Sequence, residues 1–215
     1  MPRPGLLAAA LACAAMYAPG ALASEHKKLF NGKDLTGWKM AGWGSFAVEG
    51  GLLKTVGGMG LLVYDGEKFG NCTLRVVFKT AGGRGNSGIF IRMPEPAKDA
   101  WYGVHNGYEV QIDAGGDEWH ATGALYSLSK TKKGFQKPNG EWNTMDITMV
   151  GQRTTVRLNG EIVNEFDGTQ PVPERKMWYE PVRGPRPDSG YIGVQNHDAE
   201  SIVYFREISV TTGTH

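Results

Sequence analysis

The chain has few of the residues that disulfide, redox or metal chemistry requires. It contains two cysteines, Cys13 and Cys72, and Cys13 lies in an N-terminal apolar segment. The single thiol in the rest of the chain excludes a disulfide framework and a cysteine-based metal site there. We interpret Cys72 as a small buried hydrophobic residue. The sequence also lacks an HExxH motif, a phosphate-binding glycine motif and a nucleophile elbow, so it gives no support for the enzyme classes that depend on them.

An excess of charge of one sign is also missing. The 215 residues contain 23 Lys and Arg against 22 Asp and Glu. Arg3 is the one basic residue before position 24, so residues 24–215 carry 22 charges of each sign. Nucleic acid and anionic membrane surfaces attract proteins through a basic surplus, and this chain has none. We therefore expect neutral partners, such as sugars.

The N-terminal segment has the parts of a secretory signal peptide. A positive start precedes an apolar run over residues 6–18, and Ala21-Leu22-Ala23 offers the small residues that signal peptidase recognises. The run is shorter than the roughly 20 apolar residues of a membrane span. We predict a signal peptide over 1–23, cleavage after Ala23, and a periplasmic or secreted protein with a single domain over 24–215. Lipid attachment at Cys13 is less favoured, because the usual branched residue is missing three positions before it.

Strong helical periodicity is absent, whereas glycine is abundant, with 31 residues. Short runs of β-branched and aromatic residues recur between turn-forming residues, and several alternate between apolar and polar positions. They predict strands over 46–49, 51–55, 61–64, 72–80, 88–93, 108–113, 124–127, 142–150, 154–158, 161–167, 190–196 and 201–210. Asn159-Gly160 predicts a two-residue hairpin turn. The pattern favours an all-β protein built as a sandwich of two antiparallel sheets.

Two proline-rich segments, 94–107 and 169–189, are predicted to be loops, because proline cannot donate to a strand ladder. Both contain aromatic residues, including Trp101 in the first and Trp178 and Tyr179 in the second. Loops rich in aromatics are unusual as simple connections, so these two are candidate walls of a binding site. The alternative for 169–189 is a surface flap that its aromatic residues dock on the core.

The strand predicted over 108–113 carries the first candidate site residues. Alternate side chains share one face of a strand, so Glu109, Gln111 and Asp113 form a polar row opposite the apolar residues. Such a row suits a polyol. It is also the usual pattern of a solvated face, and Asp113 has the alternative role of capping the Gly-rich turn that follows.

Neighbouring strands place Arg92, Tyr126, Gln195 and His197 on the same face. Arg92 presents a planar fork that matches a carboxylate or vicinal hydroxyls. A solvated face is usually richer in lysine than this set, which favours a site. Structural alternatives stay open for three of them: Arg92 as the partner of a nearby carboxylate, Tyr126 as a core tyrosine with its hydroxyl at the edge, and His197 as a surface histidine.

The carboxylates on this strand do not fit an ordinary glycosidase. Glu109 and Asp113 are four residues apart, which separates their backbones by about 13 Å at roughly 3.3 Å per residue. Retaining glycosidases hold their carboxyl pair about 5 Å apart and inverting ones under about 10 Å. The spacing favours a different cleavage chemistry or no cleavage.

A short acidic segment is a candidate cation site. Asp113, Asp117, Glu118 and His120 lie within eight positions, and oxygen and imidazole groups at such spacing are able to bind a divalent cation. Acidic Gly-rich loops are often only loops, so a metal is a possible cofactor and its ligands are not assigned.

At these residues the chain resembles a known family. LFNGKDLTGW, NSGIFIR, GYEVQID, TGALY, EWNTMDI, LNGEIV and GYIGVQNH follow one another as in the bacterial 3-keto-disaccharide hydrolase family, also described as 3-keto-glucoside lyase or 3-keto-2-hydroxy-glucal hydratase domains. The resemblance extends from residue 29 to about 210. It implies a concanavalin A-like jelly-roll sandwich with the ligand on the concave sheet. The site residues at motif positions are Arg92, Glu109, Gln111, Tyr126, Trp142 and His197.

The activity that the resemblance implies is cleavage of 3-keto-glycosides, by hydrolysis or by β-elimination followed by hydration. We assign Glu109 or His197 as the base and Arg92 or a bound cation as the group that stabilises the enolate. The predicted substrate contacts are Gln111, Asp113, Tyr126, Trp142, Gln195 and Trp178. A sugar 3-oxidoreductase is the expected functional partner, since it would make the keto sugar. The alternative is a non-catalytic carbohydrate-binding module, because this fold serves both roles.

Overall fold

The computed structural model describes residues 1, 24–81 and 84–213. The predicted signal peptide, its cleavage after Ala23 and the alternative lipid site at Cys13 fall outside these residues, apart from Met1. The described part contains one short helix, α1 (Tyr102–Asn106). Its strands are β1 (Glu25–Lys28), β2 (Trp38–Gly42), β3 (Ser45–Glu49), β4 (Leu52–Val56), β5 (Gly60–Phe69), β6 (Cys72–Thr80), β7 (Ser87–Met93), β8 (Tyr108–Ile112), β9 (Asn143–Val150), β10 (Arg153–Leu158), β11 (Glu161–Asp167), β12 (Gly190–Asn196) and β13 (Val203–Thr212).

The strands form two antiparallel sheets. The larger has eight strands in the order β11-β10-β9-β6-β13-β4-β3, with β1 also paired to β13. The smaller has five, in the order β2-β5-β12-β7-β8. Alternate residues of both sheets, such as Val76 and Phe78 of β6 and Val110 and Ile112 of β8, meet in one hydrophobic core. This architecture confirms the all-β, jelly-roll sandwich of two antiparallel sheets.

Most predicted strands are present within one or two residues of their expected bounds, including the hairpin at Asn159-Gly160. Both turn residues have positive φ, 53° and 94°, as the favoured hairpin turn requires. The strand predicted over 124–127 was wrong: Leu125 makes only isolated bridges, to Val110 and Ser129. The segment 169–189 contains no helix or strand, as expected, whereas α1 lies within the predicted loop 94–107.

Two strands were not predicted because their residues do not alternate. All four residues of β1 are exposed, so backbone pairing with β13 alone defines that strand. In β2 the buried residues are Trp38 and Ala41, three positions apart. Neither pattern has the period of two that a half-buried strand shows.

The outer face of the five-stranded sheet is divided into an apolar and a polar part. Leu61, Val63, Phe90, Met93 and Val104 form a second, smaller hydrophobic cluster there. Helix α1 packs closely on this cluster, and a Cβ at Gly103 would lie 2.7 Å from the Phe90 ring. The part of the face that α1 leaves uncovered carries the polar residues.

No helix in the described ranges is both long and apolar enough to span a membrane.

Candidate functional site

A cavity of about 470 Å³ opens on the polar part of the five-stranded sheet. It lies where β7 begins and β12 ends, beside the edge strand β8. Its walls include most of the polar residues predicted from the sequence: Glu109, Gln111, Asp113, Tyr126, Gln195 and His197. The alternation of β8 and β12, which lie on either side of β7, therefore brings Glu109, Gln111 and Gln195 to one face of the sheet. Tyr126 reaches the cavity from the turns that follow β8.

Glu109 is the buried carboxyl of this cavity. Its side chain lies over Gly88 of the neighbouring strand, where a Cβ would be 2.2 Å from Glu109 Oε1. The residue is 5% exposed, and burial raises its pKa to about 8, against a smaller lowering by the side chain of Gln195. Desolvation disfavours the charged carboxylate, so Glu109 exchanges a proton near neutral pH. A carboxyl with this property is suited to general acid–base chemistry.

Gly88→Ala is expected to displace Glu109 and to reduce activity by roughly 10²-fold, the effect of moving a reacting group by about 1 Å. The added methyl group would occupy the position of the Glu109 carboxyl, so the side chain must move. Turnover and thermal unfolding of the purified variant are the measurements. Gly66→Ala is the control, because this exposed glycine of β5 has no positive φ and an added Cβ would make only ordinary contacts, the nearest at 3.4 Å from the Tyr64 ring. A fully active Gly88→Ala variant would contradict this geometry.

Buried amides complete the floor of the cavity. Gln111 Nε2 donates to Asn86 Oδ1 at 3.0 Å. Gln111 Oε1 and Gln195 Oε1 are buried and have no hydrogen-bond partner among the described residues. A buried acceptor without a donor is costly, so a ligand that brings several hydroxyl donors is favoured here. Sugars have this character.

Asp113 closes one end of the cavity and is largely committed to its own turn. Its Oδ1 accepts from the Gly115 amide at 2.8 Å, and its Oδ2 accepts from Arg84 at 3.4 Å. The capping role considered for this residue is present. Arg84 is the more exposed of the pair and itself lines the cavity, so it is a cation available to a ligand.

His197 lies at the cavity wall just after β12, and its ring is held by the next residue. His197 Nδ1 is 2.7 Å from Asp198 Oδ2. Burial tends to raise the pKa of Asp198, but hydrogen bonds from His197, Ser201 and two backbone amides lower it overall. The contact leaves Nε2 as the ring nitrogen for a ligand. An imidazole oriented by a carboxylate is a common arrangement for proton transfer.

The sequence analysis missed His120 as a wall residue. His120 Nδ1 is 2.7 Å from Asp117 Oδ1, and its Nε2 is 3.0 Å from Ser127 Oγ. Its ring also packs edge-on against Tyr126, with centroids 5.1 Å apart. The signal in the sequence was the spacing of Asp117 and His120, which we interpreted as a metal-ligand pattern.

The acidic segment does not converge on a metal position. The Asp117 carboxylate contacts the His120 ring, Glu118 forms an ion pair with Lys130, and Asp113 accepts a hydrogen bond within its own turn. Within the described ranges, no group of three or more His, Cys, Asp or Glu residues is placed to hold a metal ion. The arrangement gives no support to a cation at this segment.

Aromatic residues form the mouth of the cavity. Trp101 and Tyr179 line it, and Trp178 packs on Trp101 with ring centroids 4.8 Å apart. Trp178 is 64% exposed and lies outside the cavity wall, as an extension of that aromatic surface. Its role as a substrate contact stays a prediction.

Two arginines fix the loop that carries Trp178 and Tyr179. Arg186 is buried and donates to the carbonyl oxygens of Gly107 and His105, both at 3.0 Å. Arg183 pairs with Glu180 at 2.8 Å and donates to several carbonyls of the loop. The proline-rich segment 169–189 is therefore anchored beside the cavity by buried polar contacts as well as by its aromatic residues.

Arg92 is not at this site, and its predicted catalytic role was wrong. Regular alternation would place Arg92 beside Phe90, but its φ of 59° turns the side chain elsewhere. The pairing of β7 with β12 shifts register at this point. The buried guanidinium donates instead to the carbonyls of Pro187, Asp188 and Gly151. Arg92 is a structural clamp at the end of β7, an interior strand of the sheet.

Trp142 was also wrongly assigned to the site. It precedes β9 in the eight-stranded sheet, and its ring contacts Lys79 and Arg206, at 5.0 and 4.6 Å from the centroid. Lys79 alternates with core residues of β6, so these contacts lie on the opposite side of the sandwich from the cavity. Cation–π packing on the outer face explains the tryptophan at this position.

The fold and the cavity define a carbohydrate-active β-sandwich protein. The chain belongs to the 3-keto-alpha-glucoside-1,2-lyase-like domain family, whose model matches residues 25–211. This match confirms the resemblance found in the sequence motifs. Comparison with curated protein sequences gives no significant match.

Solved structures support the same class. A candidate glycosyl hydrolase from Parabacteroides distasonis ATCC 8503 is 26% identical, with a TM-score of 0.69 over 86% of this chain and 98% of that chain. A second one from the same organism is 23% identical, with a TM-score of 0.68 over 86% and 92% of the two chains. The carbohydrate-binding module CBM66 from Bacillus subtilis shares the fold at 16% identity and a TM-score of 0.53, over 80% and 94%.

Proposed function

We propose that this protein is an exported enzyme that cleaves the glycosidic bond of 3-keto-glycosides by β-elimination, followed by hydration of the product. The observation that carries the proposal is Glu109, a buried carboxyl with a pKa of about 8 in a cavity floored by unpaired amide oxygens. Family membership supports the same substrate class.

The chemistry needs one base at carbon 2 of the sugar. A ketone at carbon 3 acidifies that C–H bond, because the electron pair left behind is delocalised as an enolate. In the proposed step Glu109 takes the proton, and the enolate re-forms the ketone as the bond from carbon 1 to the glycosidic oxygen breaks. Water then adds to carbon 1 of the resulting enone and gives the free 3-keto sugar. This route requires no close pair of carboxylates, in agreement with the spacing of Glu109 and Asp113.

With Arg92 outside the cavity, another group must stabilise the enolate. We assign this task to His197, because Asp198 orients its ring and leaves Nε2 for the substrate. A ring N–H donor at the ketone oxygen stabilises the charge that develops in the transition state. Glu109 and His197 then have separate tasks, base and electrophile.

His197→Ala is expected to lower kcat by roughly 10²-fold, the effect of removing one oxyanion donor. The fold should be retained, because the ring is at the cavity wall and its hydrogen-bond partner Asp198 keeps its bonds to Ser201. The measurement is kcat on a 3-keto-glucoside together with exchange of the carbon 2 proton in D₂O. Loss of both turnover and carbon 2 exchange supports the role of His197 at the enolate. Unchanged carbon 2 exchange would contradict that role.

The proposed function leads to two further expectations, one about the source of the substrate and one about the location of the enzyme. Because the substrate must carry a ketone at carbon 3, an oxidoreductase acting on that carbon has to supply it. Export through the predicted signal peptide would place the enzyme in the periplasm or outside the cell, and size analysis of the exported form in a bacterial host tests cleavage after Ala23.

The test of the proposed function is incubation of the purified protein with a 3-keto-glucoside and with the matching unoxidised glucoside, each with and without chelator. Release of the aglycone and of 3-keto-glucose from the first substrate alone is the expected result. Retention of either sugar without turnover would instead indicate a binding module of the same fold. Loss of turnover on chelation would show a metal requirement.

A further inference from the structure

A chain of four side chains leads from the cavity toward a second opening. It consists of Tyr126, Ser127, His120 and Asp117. Ser127 Oγ is 3.0 Å from His120 Nε2, and His120 Nδ1 is 2.7 Å from Asp117 Oδ1. Tyr126 directly precedes Ser127 in the sequence, and its ring packs edge-on against His120, with ring centroids 5.1 Å apart. Contiguous hydroxyl, imidazole and carboxylate groups are able to pass protons along their hydrogen bonds.

The four side chains of this relay connect two cavities. His120 lines the substrate cavity and also a neighbouring cavity of about 330 Å³, whose walls include Asp117, Ser127 and Arg183. The His120 side chain is 40% exposed. A proton that the relay gives up in the substrate cavity is therefore replaceable from solvent in the neighbouring cavity.

Backbone geometry holds Ser127 in place at a cost. Its φ is 56°, in the left-handed region that residues other than glycine rarely adopt. Its amide donates to Trp119 O at 3.2 Å, and its carbonyl accepts from Arg183 at 3.3 Å. Non-glycine residues kept in this conformation concentrate at functional sites, and here the strained residue is the link between His120 and Tyr126.

Tyr126 is the relay residue that lies at the substrate cavity, next to the proposed base Glu109. Its backbone amide donates to the Glu109 carbonyl at 2.9 Å, so the two side chains rise from adjacent positions. Burial, reinforced by the charge of Glu109, raises the pKa of Tyr126 to about 12, against a lowering by Ser127. Tyr126 is therefore protonated at neutral pH, and its acidity is close to that of a sugar alcohol.

We propose that Tyr126 is the catalytic acid that protonates the departing glycosidic oxygen, and that Ser127, His120 and Asp117 return the proton. The proposal rests on the function proposed above. As the bond from carbon 1 to oxygen breaks, the oxygen takes the phenolic proton and leaves as an alcohol. The phenolate then takes a proton from Ser127, and Ser127 takes one from Nε2 of the His120 imidazolium, whose Nδ1–H stays bonded to Asp117. Solvent then returns a proton to Nε2 and restores the imidazolium. Glu109 holds the proton from carbon 2 throughout.

Two simpler roles fit the contacts less well. His120 is not a direct acid on the substrate, because both of its ring nitrogens are engaged, by Asp117 and Ser127. Ser127 is not an acyl-transfer nucleophile, because the amides of Ser127 and Leu128 donate to Trp119 O and Leu125 O and do not form an oxyanion site.

The dependence of rate on the leaving group tests the acid. A set of 3-keto-glucosides with leaving groups from 4-nitrophenol to simple alcohols is compared on wild type and Tyr126→Phe. For alcohol leaving groups the variant should lose roughly 10²–10⁴-fold in kcat, the usual contribution of a general acid. For 4-nitrophenol the loss should be under about tenfold, because that group departs without a proton. Exchange at carbon 2 should continue in the variant.

The relay is tested by His120→Gln, Asp117→Asn and Ser127→Ala. Each should show the same leaving-group dependence as Tyr126→Phe, with a smaller loss, since the phenol itself is retained. Tyr191→Phe is the control: that tyrosine is on β12, with Lys68 over its ring and outside the cavity wall. A loss that is equal for all leaving groups, or no loss, would overturn the proposal. If wild type neither exchanges carbon 2 nor cleaves any substrate, the proposed function itself has failed.

Discussion

Glu109→Gln should lower kcat/KM on a 3-keto-glucoside by roughly 10²–10⁴-fold, the contribution expected of a positioned general base. Gln has nearly the same shape, so the contact with Gly88 is kept while the proton acceptor is lost. Exchange of the carbon 2 proton should stop together with cleavage, because both begin with the same proton transfer. This joint loss separates the base from the proposed acid, whose removal leaves exchange in place. Kinetics and NMR of the substrate in D₂O provide the two measurements.

The same residue should give activity and stability opposite dependences on pH. As a base, Glu109 must be ionised, so kcat/KM should rise with pH until about 8. In the unfolded chain the carboxyl has its ordinary pKa of 4.5, and in the folded protein the value is raised to about 8. Between these values the folded state binds the extra proton. Glu109 therefore adds as much as about 5 kcal/mol to the free energy of unfolding below pH 4.5. This contribution is lost as the pH rises to about 8.

Glu109→Gln is expected to remove this pH dependence, because the amide does not ionise. Above pH 8 the variant should unfold at a higher temperature than wild type, as it buries no charge. Glu165→Gln is the matched control, since Glu165 is an exposed carboxylate on β11 of the other sheet. An inactive Glu109→Gln variant with the same stability profile as wild type would show that the carboxyl is ionised and well solvated. A fully active variant would remove the assignment of the base.

The alternation of hydrophobic residues was sufficient to predict the fold and one face of the site. In β8 and β12 a period of two separates core residues from Glu109, Gln111 and Gln195, and pairing through β7 brings those rows together. These are local properties of each strand, so the sequence contains them. What it does not contain is how deeply each polar residue is buried, which depends on α1 and on the loop 169–189. The raised pKa of Glu109 was therefore not predictable.

The wrong assignments have equally specific causes. For Arg92 the alternation rule failed because a register shift and a positive φ interrupt β7. For Trp142 the motif position was right, but nothing in a single sequence says which of the two sheets a strand joins. His120 was missed because its hydrogen-bond partners become neighbours through the turns between β8 and Ser127, where no periodic pattern applies.

Arg92→Ala should destabilise the protein by about 3–5 kcal/mol, as expected when one partner of a buried charged network is removed. The side chain is 1% exposed and serves three carbonyl oxygens, those of Gly151, Pro187 and Asp188. Truncation leaves these acceptors buried without a donor. For a domain of this size the loss corresponds to a fall in Tm of roughly 6–20 °C.

Arg92→Lys distinguishes the clamp from a simple requirement for charge. Lysine keeps the positive charge but lacks the fork that reaches several carbonyls at once, so its stability should lie between those of wild type and Arg92→Ala. The three carbonyls belong to the turn between β9 and β10 and to the end of the loop 169–189. Arg92 therefore joins the five-stranded sheet to the opposite sheet and to the loop that carries Tyr179. At a temperature where both variants are folded, kcat should stay within about tenfold of wild type, because Arg183 and Arg186 also anchor that loop. A variant as stable as wild type but without turnover would instead return Arg92 to the catalytic step.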